Sequence, residues 1–258
     1  MDDDTYLPTR RELEDYYEVK EVDRRLSYFL VTSSSITCDV GGSIGIDALP
    51  LARLGSLCIC VDINKGHVKA GKTLSKKKVF MNKLEFVVAS ATHLPFKDSS
   101  LDLVTCFSVL DHLPSKEDAC LAVNEFSRVV RDFKYVVVTV PNRLFLIGTV
   151  FMRLKQLLDS DAYFEQRFTP QEMQKMMVMS GLTPLALDSK YPTSARGVLK
   201  ESNLPRIMSK IPPKIFDPVL LIAESVSRKL EKRIWLRLFG ARFGYLSQKR
   251  VDNYDRSI

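Results

Sequence analysis

The sequence predicts an α/β protein built on a doubly wound, mostly parallel sheet, and three observations predict it. Apolar, β-branched segments alternate with helix-like segments from Ile36 onward. The first of them, Ile36–Val40, breaks into a glycine-rich turn, continues through one helix and returns as a second strand that ends at Asp62. A later segment, Tyr135–Val140, is almost wholly apolar, as expected of a strand covered on both faces. These features indicate strand, helix, strand units with a loop that faces a ligand.

The glycine turn 41–45 and Asp62 form the first candidate binding site. Glycine lets the backbone approach a bound group without a Cβ in the way, and the amides that open a helix favour an anion. Asp62 ends the second strand, where a carboxylate is suited to accept hydrogen bonds from both hydroxyls of a ribose. The glycines at 41, 42 and 45 do not have the Gly-x-Gly-x-x-Gly spacing of a dinucleotide site. The pattern therefore predicts a nucleoside ligand with an acidic appendage, although any such unit has a glycine turn and a strand can end on Asp by chance.

Composition and charge limit the class of protein. The chain has 258 residues, of which 45% are hydrophobic and 27% charged, which is typical of a globular protein with a large core. Its net charge of +7 suits nucleic acid or a phospholipid surface, and ordinary basic proteins share it. Five cysteines without a Cys-x-x-Cys pair predict free thiols in a reducing cytoplasm and no metal site. The acidic start and the short apolar runs predict neither a signal peptide nor a membrane-spanning helix, so we expect a cytoplasmic protein that is at most peripheral to a membrane.

Periodicity and turn residues place the remaining elements, after one or two helices within residues 10–30. The predicted strands are Ile36–Val40, Ser56–Asp62, Leu84–Ala89, Leu101–Phe107, Tyr135–Val140, Leu182–Leu187 and Ala241–Gln248. The predicted helices are a segment that reaches Leu54, then Lys65–Lys78, Ser115–Arg131, and a segment that Thr169 and Pro170 open and Gly181 closes. Residues 131–134 are predicted to form the turn before the fifth strand.

Two stretches resemble the class I, Rossmann-like S-adenosylmethionine-dependent methyltransferases. The order Asp39-Val40-Gly41-x-x-x-Gly45 is similar to their first motif. The stretch 90–96, Ser-Ala-Thr-His-Leu-Pro-Phe, followed by Asp102, is similar to their segment after the third strand and agrees with it at several fixed offsets. The resemblance spans roughly residues 36–188. It includes the quinone-biosynthesis and small-molecule group, in which many members have a His near the position of His112.

The resemblance implies a particular architecture. It implies a Rossmann-like, seven-stranded sheet whose last strand is antiparallel, with helical insertions in a single methyltransferase domain. It further implies a helical cap over 1–35, a core over 36–188, substrate-covering insertions over 143–167 and 190–238, and a last strand over 240–249. The implied cofactor is S-adenosyl-L-methionine, with S-adenosyl-L-homocysteine as product and no metal.

The resemblance also implies which residues bind the cofactor. The glycine loop would border its methionine part, Asp62 would hold its ribose, and Ser90 stands where most members have an acidic residue at the adenine amino group. The implied set is Asp39, Gly41, Gly42, Ser43, Gly45, Asp62, Ile63, Ser90, Ala91, Thr92, Phe107 and Ser108. Ser43 replaces the usual middle glycine, and with Ser90 present we expect adenine recognition to rely on backbone groups around Ala91 and Thr92.

His112 and Asp111 are the candidate catalytic residues because they follow the fourth strand, and ligands bind beyond the carboxyl ends of parallel strands. A general base is needed only when the acceptor carries a proton that leaves near the transition state. An equally simple interpretation is that His112 caps the next helix or bonds a backbone carbonyl. Residues with weaker claims to the site are His67, His93, Tyr16, Tyr17, Tyr163 and Glu165.

Three functions remain open at this point. The first is methyl transfer to a small-molecule acceptor, and the apolar insertions with the basic charge favour a lipid-like or isoprenoid one. The second is RNA methylation, which the charge permits, although the sequence has no Asn-Pro-Pro-Tyr-like motif. The third is a non-catalytic binding or scaffold subunit, because Ser43 and Ser90 both depart from the cofactor-site pattern. A basic amphipathic segment around Trp235 is compatible with peripheral membrane contact, and packing on its own domain is the simpler interpretation.

Overall fold

A computed structural model describes residues 30–54, 56–75, 83–145, 165–190 and 242–250. The strands in these residues are β1 (Ile36–Val40), β2 (Leu57–Asp62), β3 (Leu84–Val88), β4 (Leu101–Phe107), β5 (Val130–Pro141), β6 (Leu182–Lys190) and β7 (Arg242–Lys249). The α-helices are α1 (Ala48–Arg53), α2 (Lys65–Ser75), α3 (Lys116–Val129) and α4 (Pro170–Met179), and a short 3-10 helix covers Leu110–His112. In this part of the chain, no helix combines the length and the apolar character needed to cross a bilayer.

The strands form one sheet in the order β3-β2-β1-β4-β5-β7-β6. Strand β1 pairs in parallel with both β2 and β4, and β7 is antiparallel. The prediction of a Rossmann-like, doubly wound sheet with an antiparallel last strand is therefore confirmed. The chain order changes direction between β1 and β4, so the carboxyl ends of these two strands form the crevice in which such sheets bind ligands.

One part of the core is a cluster of buried side chains from α1, α2 and strands β2 to β5. All seven residues of β4 are buried. The apolar side chains that α3 presents at helical spacing, Ala119, Ala122, Val123 and Phe126, are fully buried, as the sequence predicts. Ser115 caps this helix, since its Oγ accepts the Asp118 N–H at 3.0 Å.

The junction of α3 and β5 differs from the prediction. The helix ends at Val129 and the strand begins at Val130, so residues 131–134 lie in β5 and not in a turn. The β4–β5 register shifts between Leu101 and Leu103, and Phe133 has φ of 60°. An irregularity in the pairing of β4 and β5 therefore accommodates the polar residues 131–134 that suggested a turn.

Asp102, in β4, contacts residues of both β1 and β5 at the amino-terminal edge of the sheet. Its Oδ2 accepts the Ile36 N–H at 2.9 Å, and its Oδ1 lies 2.8 Å from Arg131 Nη1 and 3.6 Å from Lys134 Nζ. Burial opposes ionisation, but the Ile36 amide and the two cations outweigh it, so the pKa of Asp102 is lowered. This carboxylate lies at the end of β1 opposite the glycine turn.

The chain divides into two compact units. The first contains the chain up to Val140, Gln171–Leu187 and the chain from Gly244, and the second contains Pro141–Pro170 and Asp188–Phe243. Every candidate cofactor residue lies in the first unit.

In the second unit, two described segments pair through the backbone. The Arg143 N–H donates to Phe168 O at 2.8 Å, and the Phe168 N–H donates to Pro141 O at 3.1 Å. Glu165 Oε1 lies 3.2 Å from Arg167 Nη2. Most of the predicted cap and of both predicted insertions, with Tyr16, Tyr17, Tyr163 and Trp235, lies outside the described residues.

Candidate functional site

The glycine turn 41–45 is hydrogen-bonded to the end of β2. The N–H groups of Gly41 and Gly42 both donate to Val61 O, at 2.7 and 3.1 Å, and the Gly45 N–H donates to Gly42 O at 2.8 Å. Gly41 and Gly45 have φ of 71° and 87°, a region that favours glycine. The side chain of Val109, which follows β4, occupies the space into which a Cβ on residue 41 would project. The turn therefore packs directly against the segment after β4.

Ser43 has a left-handed backbone, with φ of 52°. This conformation costs a residue with a Cβ roughly 1 kcal/mol or more, which explains why glycine suits the position. The Ser43 N–H donates to Asp62 Oδ2 at 2.8 Å. The strained residue thus joins the turn to the carboxylate that the sequence selects.

Asp62 is held from two sides. Its Oδ2 accepts the Ser43 N–H and its Oδ1 accepts the Asn64 N–H, each at 2.8 Å, and its side chain is 11% exposed. A carboxylate offers about four acceptor positions, so each oxygen keeps one for a ligand. An orientation fixed by two amides, with one acceptor position left on each oxygen, fits the two hydroxyls of a ribose.

The start of α2 lies beside Asp62. Asn64 caps the helix, because its Oδ1 accepts the N–H groups of Gly66 and His67 at 2.8 and 3.2 Å. His67 Nδ1 is 3.7 Å from Asp62 Oδ1, too far for a hydrogen bond. His67 is therefore a neighbour of the carboxylate.

Asp39 lies beneath the turn. It is 1% exposed, and the Thr105 hydroxyl donates to its Oδ1 at 2.7 Å. A Cβ on residue 42 would lie 2.5 Å from Asp39 Oδ2, so Gly42 is required for close packing on this carboxylate. Burial, and next the charge of Asp39, raises the pKa of the adjacent Cys60 thiol. The structure therefore gives Asp39 a supporting position under the loop.

A chain of hydroxyl and imidazole groups follows β3. The Ala89 N–H donates to Asp62 O at 3.1 Å, which sets Ser90 beside the end of β2. Ser90 Oγ accepts the Thr92 N–H at 3.2 Å and lies 2.8 Å from Thr92 Oγ1, which in turn lies 3.0 Å from His93 Nδ1. The Thr92 amide, which the sequence selects for adenine recognition, is thus engaged within the loop. The sequence gives His93 little weight, and only the spacing Ser-x-Thr-His hints at this chain.

Arg128, on the last turn of α3, holds the next part of this loop. Its guanidinium donates to both carboxylate oxygens of Glu125 at 2.7 and 2.8 Å, to Asp98 Oδ1 at 2.7 Å, and to the carbonyls of Phe96 and Leu94 at 2.8 and 3.0 Å. Glu125 Oε2 also accepts the Leu94 N–H at 2.8 Å. The hydrogen bond from Arg128 is the main cause of a lowered pKa at Glu125. Sequence reasoning missed this pair, which fixes the segment after Ser90.

The segment after β4 carries the candidate catalytic residues. Ser108 has φ of 57°, and its N–H donates to Thr139 O at 3.0 Å. The Asp111 side chain is 1% exposed and the His112 side chain 36%, with 3.6 Å between Asp111 Oδ2 and His112 Nε2. Burial favours a positioning role for Asp111 and leaves His112 as the group that reaches solvent. Their catalytic roles remain predictions.

The remaining candidates fall into two environments. Ile63, which follows β2, is 74% exposed and offers apolar surface beside the carboxylate. Ala91 and Phe107 are both buried. Among the described residues, no three His, Cys, Asp or Glu side chains come together in a group that could hold a metal.

Part of the chain resembles known methyltransferases in sequence. Residues 38–138 match the family model described as methyltransferase domain. An uncharacterized methyltransferase of Bacillus subtilis, YcgJ, is 32% identical over 93 residues, which are 36% of this chain and 35% of that protein. The chain therefore spans about a third of the length of the curated relatives it matches.

Solved structures show the same fold. The putative methyltransferase of Haloferax volcanii, solved in complex with the Trm112 methyltransferase activator, superposes with a TM-score of 0.65 at 14% identity, covering 95% of this chain and 94% of that one. Magnesium protoporphyrin IX methyltransferase of Synechocystis, solved with S-adenosylhomocysteine bound, superposes with a TM-score of 0.60 at 13% identity, covering 95% and 90%. Residues 38–138 therefore match a methyltransferase domain in sequence, and the superposed structures share the fold of the chain.

Proposed function

We propose that the protein transfers a methyl group from S-adenosylmethionine to a small-molecule acceptor, with a lipid-like or isoprenoid acceptor as the finer expectation. The observation that carries the proposal is the bond from the Ser43 N–H to Asp62 Oδ2, at 2.8 Å. It joins the glycine turn after β1 to the carboxylate that ends β2. The match to the methyltransferase domain over 38–138 supports it.

The residues fit the nucleoside part of this cofactor. Asp62 would hold the ribose through the acceptor position left on each oxygen, and the turn 41–45 would border the methionine part. The exposed Ile63 offers apolar contact near the ribose, and Ser90 offers a polar contact one strand further along the sheet. When bound, the cofactor supplies an electrophilic methyl group on a sulfonium.

The chain's own contribution to the reaction is orientation and, for some acceptors, a base. Holding the acceptor in line with the methyl group in a dry site supplies much of the rate enhancement. His112 would take the proton of the acceptor, and its Nε2 lies 3.6 Å from Asp111 Oδ2. The buried carboxylate of Asp111 would then stabilise the imidazolium that forms.

Calorimetric titration with S-adenosylmethionine, and separately with S-adenosylhomocysteine, tests the cofactor site. The wild type should bind both at micromolar concentration. Asp62→Asn should weaken binding by about 1.5–3 kcal/mol, roughly 10- to 150-fold, because a hydrogen-bonded carboxylate is lost.

Asp102→Asn is the matched control for this experiment. It also removes a buried carboxylate that accepts a backbone N–H, but Asp102 lies near the start of β4, at the opposite edge of the sheet. It should lower stability and leave both affinities within about twofold, because its partners among the described residues are Ile36, Arg131 and Lys134, and none of these is a candidate site residue. Equal loss of binding in both variants would contradict the assignment, and no binding by folded wild type would favour the non-catalytic function.

A product assay then tests the acceptor class and His112. Methyl transfer to lipid or isoprenoid extracts should exceed transfer to RNA, and any RNA binding should fall steeply with added salt. With an acceptor in hand, His112→Ala should reduce turnover by about 100-fold or more if the acceptor loses a proton, and leave cofactor affinity unchanged. Unchanged turnover would remove His112 from the chemistry.

A further inference from the structure

The hydrogen bonds that join Ser90, Thr92 and His93 after β3 can run in either direction. Ser90 Oγ has one proton and two lone pairs, and one lone pair accepts the Thr92 N–H at 3.2 Å. One proton and one lone pair therefore remain for two partners, the Thr92 hydroxyl at 2.8 Å and a ligand. Whichever of the two faces Thr92, the other is presented to the ligand.

The direction of these hydrogen bonds depends on which nitrogen of the His93 ring carries the proton. When His93 Nδ1 is unprotonated, Thr92 donates to it across 3.0 Å, Ser90 donates to Thr92, and Ser90 offers a lone pair to the ligand. When Nδ1 carries the proton, it donates to Thr92, Thr92 donates to Ser90, and Ser90 offers its O–H to the ligand. Both arrangements satisfy every group in the chain, and the two neutral tautomers of His93 supply them.

The position of Ser90 identifies what it would meet. The Ala89 N–H bonds to Asp62 O at 3.1 Å, so Ser90 lies one strand beyond the carboxylate that would hold the ribose. Ser90 and Thr92 are both partly exposed at this end of the sheet. A base attached to that ribose would present its edge to them.

We propose that Ser90 binds the substituent at position 6 of the purine, either as a hydrogen-bond acceptor or as a donor. The site therefore accepts a 6-oxo nucleoside as well as a 6-amino one. The proposal rests on the proposed cofactor site. A carboxylate at residue 90 would be an acceptor only and would reject an oxo group, because two acceptors would face each other. The Ser90, Thr92 and His93 chain reverses its hydrogen bonds and pairs with both groups, and His93 is the positioning residue that permits the reversal.

The test is calorimetric titration with S-adenosylhomocysteine and with its 6-oxo analogue, S-inosylhomocysteine, for the wild type, Ser90→Asp and Ser90→Ala. The amino-to-oxo affinity ratio of the wild type should lie within about fivefold of the ratio measured for Ser90→Ala. Ser90→Asp should favour the amino ligand by about 10- to 100-fold, because the oxo group then faces a carboxylate. Ser90→Ala should weaken both ligands by a similar factor of about three to ten.

The comparison uses a ratio measured within each variant, so partial loss of stability does not affect it. The difference at purine N1 between the two ligands is common to all variants, so it cancels when the ratio for the wild type is divided by the ratio for Ser90→Ala. A wild type that rejects the 6-oxo ligand 30-fold or more beyond the rejection by Ser90→Ala would overturn the inference, as would a Ser90→Ala variant that binds both ligands as the wild type does. Failure of the wild type to bind either ligand would instead overturn the proposed cofactor site.

The nitrogen signals of the His93 ring provide a second readout that a merely structural role would not move. With S-adenosylhomocysteine bound, Nδ1 should be the unprotonated nitrogen, and with the 6-oxo analogue it should carry the proton. The same tautomer in both complexes would contradict the reversal. His67, which is 3.7 Å from Asp62 and outside the hydroxyl chain, is the internal control and should show no such difference.

Discussion

Replacement of Arg128 by Lys tests whether one guanidinium holds the loop that follows the candidate adenine position. Arg128 donates five hydrogen bonds of 2.7–3.0 Å, to Glu125, Asp98, Phe96 and Leu94. Lysine keeps the charge but has one nitrogen, which cannot meet acceptors spread over a planar fork. The variant therefore separates the geometry of the pair from its charge.

The expected loss of stability in Arg128→Lys follows from the exposed fractions of the carboxylates that Arg128 contacts. Asp98 is 77% exposed, so its bond to Arg128 contributes little after solvent screening. Glu125 is 19% exposed, and with the two carbonyl bonds it forms the effective part of the contact. Loss of one to two charge-assisted bonds, discounted for the partial exposure of Arg128, gives a destabilisation of about 2 kcal/mol.

Urea unfolding and amide hydrogen exchange measure this effect. The free energy of unfolding should fall by about 2 kcal/mol, and the Leu94 amide, which bonds to Glu125 Oε2, should exchange roughly 30-fold faster. Arg131→Lys is the control, because Arg131 is 41% exposed and pairs with Asp102 at the other edge of the sheet, so we expect a loss below about 1 kcal/mol. Equal losses in the two variants, or an unchanged exchange rate at Leu94, would refute the reasoning.

Three further predictions follow from buried and strained groups. Four cysteines are fully buried and have raised thiol pKa values: Cys38, Cys58, Cys60 and Cys106. A disulfide reagent should therefore label at most the half-buried Cys120 in the native protein, and five thiols after unfolding. Fast labelling of two or more thiols in the native protein would contradict the packing. The lowered pKa of Asp102 contributes stability that is present above its unfolded value of about 3.9 and is lost as pH falls through the folded value. The stability difference between wild type and Asp102→Asn, measured by urea unfolding, should thus shrink below about pH 4, and a difference that grows there would reverse the sign. Ser43→Gly should raise the free energy of unfolding by up to about 1 kcal/mol by relieving the positive φ, and Ser43→Ala should not; an equal gain in both variants would show that φ is not the cause.

The fold follows from the sequence because its strands are marked by local chemistry. The apolar run of β4 and the β-branched run of β5 need cover on both faces, which favours a parallel sheet between helices. The start of β5 is different. Arg131 and Lys134 resemble turn residues in the sequence, and the pairing of Val130 and Tyr135 with β4 shows that they lie in β5.

The candidate site follows from the sequence in part. The carboxyl ends of neighbouring parallel strands meet, so the closeness of the glycine turn and Asp62 is predictable. The bond from Ser43 to Asp62 is not, because it depends on a left-handed backbone at a residue that rarely adopts one. The burial of Asp111 beside a half-exposed His112 depends on the packing of a 3-10 helix, for which the sequence has no periodic signal.

The site at the carboxyl ends of β1 and β2 is the central claim, and an amide chemical-shift titration with S-adenosylhomocysteine tests it most directly. The amides of Ser43 and Asn64, which hold Asp62, should shift together with that of Thr92 as the ligand is added. The amide of Ile36, which bonds to Asp102 at the opposite edge of the sheet, should not shift. Shifts that leave Ser43 and Asn64 unchanged, or that centre on Ile36, would contradict the account.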